Sequence, residues 1–178
     1  MAVREIRKTK DELLYKNARD VDVIDDKIKE LVEDMIETMY KYDGIGLAAS
    51  QVGVLKRIVV YDVDYIKEDG KKNPQVLINP IITKSSKQMV TTEEGCLSFP
   101  DLFGYVDRHE KVTVEAKDIN GKKVVIHAKD MESVVLQHEI DHTYGKVFVD
   151  IAYDTYVGEK EDNKDNTKDN KKKKKGKI

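Results

Sequence analysis

The segment Gln137-His138-Glu139-Ile140-Asp141-His142 constrains this chain more than any other. Two histidines four residues apart bracket a glutamate, an H-E-x-x-H pattern. On an α-helix, residues four apart share a face, so both imidazoles can reach one metal ion. Glu139 stands one step, about 100°, further round. It is badly placed to join that ion's ligands, yet well placed to reach a water beside them. The pattern therefore demands a helix, and one whose histidine face points inward. Met131, Val134, Val135, His138 and His142 fall at i, i+3, i+4, i+7 and i+11, so the apolar stripe predicts that same inward face. Two buried imidazoles and a carboxylate without partners would carry a large desolvation cost, which favours metal ligation over ordinary core histidines.

A catalytic site of this kind needs a third protein ligand and an open position. No histidine follows His142, and only Asp150 and Asp154 precede a charged tail. Upstream, Glu93-Glu94-Gly95-Cys96-Leu97-Ser98 supplies the single cysteine, which can be a ligand, a nucleophile or a small core residue. With one cysteine no intrachain disulfide is possible. The N-terminus lacks an apolar signal region, and no run of roughly 18 apolar residues is present, so a cytoplasmic protein without a membrane span is expected.

A first long amphipathic helix is expected from Asp25 to Tyr42. Its stripe is Ile28, Leu31, Val32, Met35, Ile36 and Met39, with Asp25 or Asp26 as cap and Gly44 as the C′ residue. Strands are expected at Arg57 to Asp62, Gln75 to Ile82 (interrupted at Asn79-Pro80), Lys111 to Ile119 and Lys122 to Ala128. Asn120-Gly121 is a hairpin signal between the last two. The second helix spans Met131 to Tyr144, capped by Asp130 and stopped by Gly145. Val147-Phe148-Val149 reads as a last short strand. Strands joined by a hairpin and short loops give an α+β fold, with antiparallel strands packed around a central HExxH helix. A single catalytic domain over residues 1–155 is expected, followed by a charged, Lys-rich, disordered tail over 156–178. From Glu159 the tail holds nine lysines against five acids, a net +4, so the remainder carries −6 for a total of −2. That balance argues against a dedicated nucleic-acid binder. The tail reads as a solvated end, or as a polybasic end attracted to ribosomal RNA.

Three segments together resemble the peptide deformylase family. Gly44-Ile-Gly-Leu-Ala-Ala-Ser-Gln51 looks like its G-x-G-x-A-A-x-Q motif, Glu94-Gly-Cys-Leu-Ser98 is similar to its second motif, and Gln137 to His142 matches its third. The resemblance runs from about Lys27 to Val149. It implies hydrolytic removal of formyl from N-formyl-methionine at the N-terminus of nascent polypeptides. One divalent metal per chain is implied: Fe2+ natively, with Zn2+, Ni2+ or Co2+ able to substitute. The resemblance implies Cys96, His138 and His142 as metal ligands and Glu139 as general base acting on a metal-activated water. The Gln51 side chain and the Leu97 N–H are implied as donors to the developing oxyanion. Gly44, Ile45, Gly46 and Gly95 would lie along the peptide, with Ile45, Val135 and His138 as walls of the methionine pocket. The family's Pro-x-Leu-Arg stretch near the N-terminus is replaced here by Lys10-Asp-Glu-Leu-Leu. Ser50 and Thr143 also differ from common members, and the usual C-terminal helix gives way to the charged tail. The rivals are a different metal amidase, which would need a downstream third ligand; a non-catalytic metal protein, which would need no Glu139; and a thiol sensor using Cys96.

Overall fold

In a computed structural model, the described residues are 1–158 and 178. Two antiparallel sheets and two helices build the domain. The elements in chain order are α1 (Asp26–Lys41), β1 (Gly46–Ala48), β2 (Ile58–Tyr61), β3 (Gln75–Ser85), β4 (Met89–Cys96), β5 (Phe99–His109), β6 (Lys111–Lys117), β7 (Lys123–Lys129), α2 (Asp130–Thr143) and β8 (Tyr153–Val157). One sheet has the order β1-β2-β3-β6-β7 and the other β4-β5-β8.

The period-two alternation of β2 explains the layering. Ile58 and Val60 join a core cluster with Leu31, Val32, Met35 and Met39 of α1. Tyr61 joins a second cluster with Val134, Val135 and Ile140 of α2. Successive side chains point to opposite faces, so the larger sheet is held between the two helices. The apolar run at Ile58–Tyr61 is accordingly buried on both sides. A third cluster, with Cys96, Phe99, Val106 and Phe148, lies under the smaller sheet.

Local chemistry sets the helix ends. Asp25 caps α1, its side chain accepting from Ile28 N at 2.9 Å. At the other end Asp43 (φ 55°), not Gly44, takes the left-handed position. Asp43 N donates to Tyr40 O and Gly44 N to Met39 O, a Schellman closure displaced by one residue from the expected glycine. Gly44 is small for another reason: a Cβ there would lie 2.8 Å from Leu97 Cδ1. α2 ends as expected at Gly145 (φ 69°), with Gly145 N on His142 O and Lys146 N on Asp141 O.

Its start differs from expectation. The chain passes straight from β7 into α2, Lys129 is the cap residue, and Asp130 itself turns the corner at φ 54°. With no intervening loop, the residue at the corner must adopt a left-handed backbone, which aspartate tolerates, and its side chain caps nothing. The apolar stripe also begins later than expected, since Met131 is exposed and Val134 is the first buried member of that series.

Other differences have similar local causes. Val147–Val149 is not a strand; Phe148–Asp150 forms a 3-10 turn, with Asp150 accepting from Val147 N. Strand β3 continues through Asn79 (φ 53°) with a register shift, because the Asn79 amide pairs with both Val21 N and Val21 O. The β6–β7 hairpin closes with Asp118 N on Lys122 O and Gly121 at φ 79°, a longer loop than the two-residue form. Strands β4 and β5 were not anticipated at all. Strand β8 carries the chain past residue 155 to Val157, which pairs with Leu102. Ile178 is buried among the residues of the second cluster. The Lys-rich segment lies outside the described residues. Among the described residues no helix is long and apolar enough to cross a membrane.

Candidate active site

Three elements meet at one buried point. Helix α2 packs against strands of both sheets and carries His138, Glu139 and His142, all at most 2% exposed. Strand β4 ends at Cys96, and the 3-10 turn Ala49–Val52 carries Gln51. One ligand atom from each of Cys96, His138 and His142 lies within 4.8 Å of the others. Cys96 Sγ is 3.5 Å from His142 Nε2.

The donor set fits a divalent cation. His138 Nδ1 is engaged by Glu94 Oε1 at 2.7 Å, which leaves Nε2 facing the cluster. That Nε2 is buried without a hydrogen-bond partner, as are both Glu139 carboxylate oxygens. Such orphaned buried atoms are costly unless something engages them. Burial first, then the neighbouring His138, hold the His142 pKa well below the usual imidazole value, so the ring is neutral and able to ligate. Burial and then the charge of Glu139 push the Cys96 thiol up to about 12 in the metal-free protein. A bound cation would reverse that preference.

Glu139 stands beside the cluster on the next helix step. Burial, and then the charge of Glu94, raise its pKa well above the ordinary carboxylate value. Gly46 of β1 faces it directly. Gln51 is fully buried. Its Oε1 accepts from Ala48 N at 2.9 Å, so its Nε2 must point the other way. Nε2 lies 3.2 Å from Ser98 Oγ and 3.5 Å from Cys96 Sγ. Leu97 and Ser98 form the turn between β4 and β5, closed by the Cys96–Phe99 pair. The Leu97 N–H and the Gln51 amide are thus both next to the thiol.

Of the residues expected along the peptide, Gly44, Ile45 and Gly46 run through the start of β1, Gly95 precedes Cys96, and Val135 is buried on α2 with Ile45 in one cluster. All are buried. At Gly95 a Cβ would lie 2.9 Å from Phe103 Cε1. His109 and His127 lie away from this cluster, on β5 and β7.

Two contributors escaped sequence reasoning. Glu94 and Cys96 are two apart on one strand, hence on one face, and Glu94 orients His138. Arg108 meets two acids: Nε and Nη2 grip Glu94 at 2.8 Å each, and Nη1 reaches Asp141 at 2.7 Å. Burial alone would raise the Glu94 pKa, but the hydrogen bonds from Arg108 and then His138 outweigh it and hold it down to about 2. A permanently ionised carboxylate behind a histidine fixes the ring's tautomer. Neither had a sequence signal, because the strands that carry them, β4 and β5, show no clear apolar alternation. The stacking of Phe148 on His138, with centroids 5.9 Å apart, had no sequence signal.

Comparison with known proteins gives the family and the fold. The family model described as polypeptide deformylase matches residues 3–156. A peptide deformylase of Finegoldia magna is 48% identical over 150 residues, covering 84% of this chain and 90% of the relative. The crystal structure of the Thermotoga maritima peptide deformylase superposes with a TM-score of 0.80 at 36% identity, covering 86% of this chain and 99% of that one. A Legionella pneumophila peptide deformylase structure gives a TM-score of 0.80 at 43% identity, covering 86% and 88%.

Proposed function

The chain belongs to the polypeptide deformylase family, and from that premise we propose that its buried cluster strips formyl from N-formyl-methionine at the start of nascent polypeptides. The observation that carries this reading is the Glu139 carboxylate, buried and without a partner, one helix step from two histidines that converge on a thiol. A site that only stored a metal would need the ligands and not the carboxylate.

Cys96, His138 and His142 would hold one divalent ion, Fe2+ in the native protein, with Zn2+, Ni2+ or Co2+ able to replace it. When bound, such an ion supplies Lewis acidity and lowers the pKa of water. Glu139 takes the proton of the attacking water as its oxygen bonds to the formyl carbon. A carboxyl with a raised pKa is suited to hold that proton near neutral pH. As charge builds on the formyl oxygen, Gln51 Nε2 and the Leu97 N–H donate to it. Loss of one such donor typically costs about a hundredfold in rate. Glu139 then delivers its proton to the departing amine nitrogen, the C–N bond breaks, and formate and the free N-terminus leave.

The peptide would lie extended against Gly44, Ile45, Gly46 and Gly95, where small residues let backbone approach backbone. The methionine side chain would pack on Ile45, Val135 and the His138 ring. Backbone recognition tolerates varied residues after the methionine, as a cytoplasmic processing enzyme requires. The Lys-rich segment near Lys171–Lys175 would be the part attracted to ribosomal RNA.

The test is formate release from formyl-Met-Ala peptide, under anaerobic conditions with Fe2+ or Ni2+ restored. Metal-dependent turnover that Glu139→Ala and Cys96→Ser abolish is expected. A protein that holds one metal per chain and releases no formate would overturn the reading.

A further inference from the structure

Residues 6–9, just ahead of the stretch that departs from the family pattern, touch both turns that supply the proposed oxyanion donors. Ile6 is buried in the cluster of Ala49, Val52 and Leu97. Arg7 N donates to Gln51 O at 2.7 Å. The Arg7 guanidinium lies over Gly53, where a Cβ would sit 2.9 Å from its Nε. Gly53, at φ 85°, closes the 3-10 turn that bears Gln51. Lys8 Nζ donates to Leu97 O at 3.2 Å, and Thr9 Oγ1 to Ser98 O at 3.4 Å. Tyr15 OH in turn donates to Thr9 O at 2.8 Å. Asp11 caps the turn Glu12–Tyr15, and Leu14 is fully buried there.

We propose that Arg7, Lys8 and Thr9 form a clasp that holds the Gln51 turn and the Leu97–Ser98 turn in register, so that both oxyanion donors converge. This rests on Gln51 and Leu97 being those donors. The two donor segments are far apart in sequence. Gln51 reaches the other turn only through single contacts at Ser98 and Cys96. The clasp adds a backbone bond on one side and side-chain bonds on the other. Lys8 and Thr9 are positioning residues: they hold carbonyls of the turn whose N–H does the work. Small displacements of such donors are costly, because a misplacement of about 1 Å can lower a rate a hundredfold.

The experiment compares Lys8→Met, Thr9→Val and the double variant, each alone and with Gln51→Ala, in the metal-loaded full chain. Lys8 and Thr9 are exposed, so the single variants fold and carry the test even if the double variant is unstable. The expected result is that kcat falls about five- to tenfold with KM changed less than twofold. Bound metal stays at the wild-type level, and Lys8→Arg restores most of the rate. In the Gln51→Ala background the loss shrinks by half or more, because one of the two aligned donors is already gone. Wild-type kcat in all three variants, or a loss of the same size with and without Gln51, overturns the clasp. A Gln51→Ala variant with undiminished kcat would instead remove the donor assignment beneath it, and the clasp with it.

Discussion

Gly46 and Glu139 are so close that a Cβ built on Gly46 would lie 2.9 Å from the Glu139 Cδ. Gly46 does not have a positive φ, so its smallness serves the approach and not the backbone. Gly46→Ala is therefore a way to move Glu139 without altering it. Formate release should fall by about a hundredfold while metal content and fold are kept. Undiminished turnover would show that Glu139 is not the proton carrier, or that it works from another rotamer.

Among the described residues Arg108 is the only arginine or lysine bonded to the buried Glu94 carboxylate, which the His138 ring also meets. Arg108→Met would leave Glu94 charged and half-paired in the interior. A loss of about 3–5 kcal/mol in denaturant unfolding is expected. The acid limb should change as well. In the metal-free wild type Glu94 titrates near 2, below its ordinary 4.5, so its contribution is complete above about pH 4.5 and drains as pH falls toward 2. In Arg108→Met that window should narrow. An unchanged acid limb would mean that the pair adds nothing to stability.

Metal uptake should be coupled to proton release. The metal-free Cys96 thiol, pushed up to about 12, is protonated at neutral pH, whereas a metal ligand must be thiolate. Apparent affinity should rise about tenfold per pH unit while one proton is displaced. Titration calorimetry in buffers of different ionisation enthalpy reads the proton directly. If Cys96→Ser released as many protons as wild type, Cys96 would not be a ligand.

Gly145 combines a left-handed backbone with a tight contact, a Cβ there lying 2.6 Å from the Tyr15 carbonyl carbon. Gly145→Ala should cost about 1–3 kcal/mol in thermal or denaturant unfolding. It should also loosen the junction where Ala18 N meets Thr143 O. A variant as stable as wild type would show that the end of α2 moves freely against the N-terminal residues.

The helices were readable because their signals are local. The stripe of α1 and its Asp25 cap, the stop at Gly145, and the His138–His142 spacing all follow from 3.6 residues per turn. Strands β4 and β5 were not readable. Met89-Val-Thr-Thr-Glu-Glu shows no apolar alternation, since these residues belong to a small three-stranded sheet where three are exposed and only Glu94 is buried. Asp130 was misjudged for the opposite reason: an aspartate before a helix usually caps it, but here the strand leaves no residue to spare for a loop.

What the sequence determined by itself is the chemistry on offer: a thiol, two imidazoles on one helix face and a carboxylate one step round. Chain geometry guarantees that relation wherever the helix forms. The tertiary structure decided what meets it. Gln51, Cys96 and His142 are brought together across gaps of 45 and 46 residues. The Glu94–Arg108 grip depends on the register of β4 against β5, in which Arg108 stands opposite Val90 and Glu94 opposite Gly104. A shift of one residue would turn Arg108 to the other face. Register of that kind is set by a turn and by which face the sheet buries, and no local pattern encodes it.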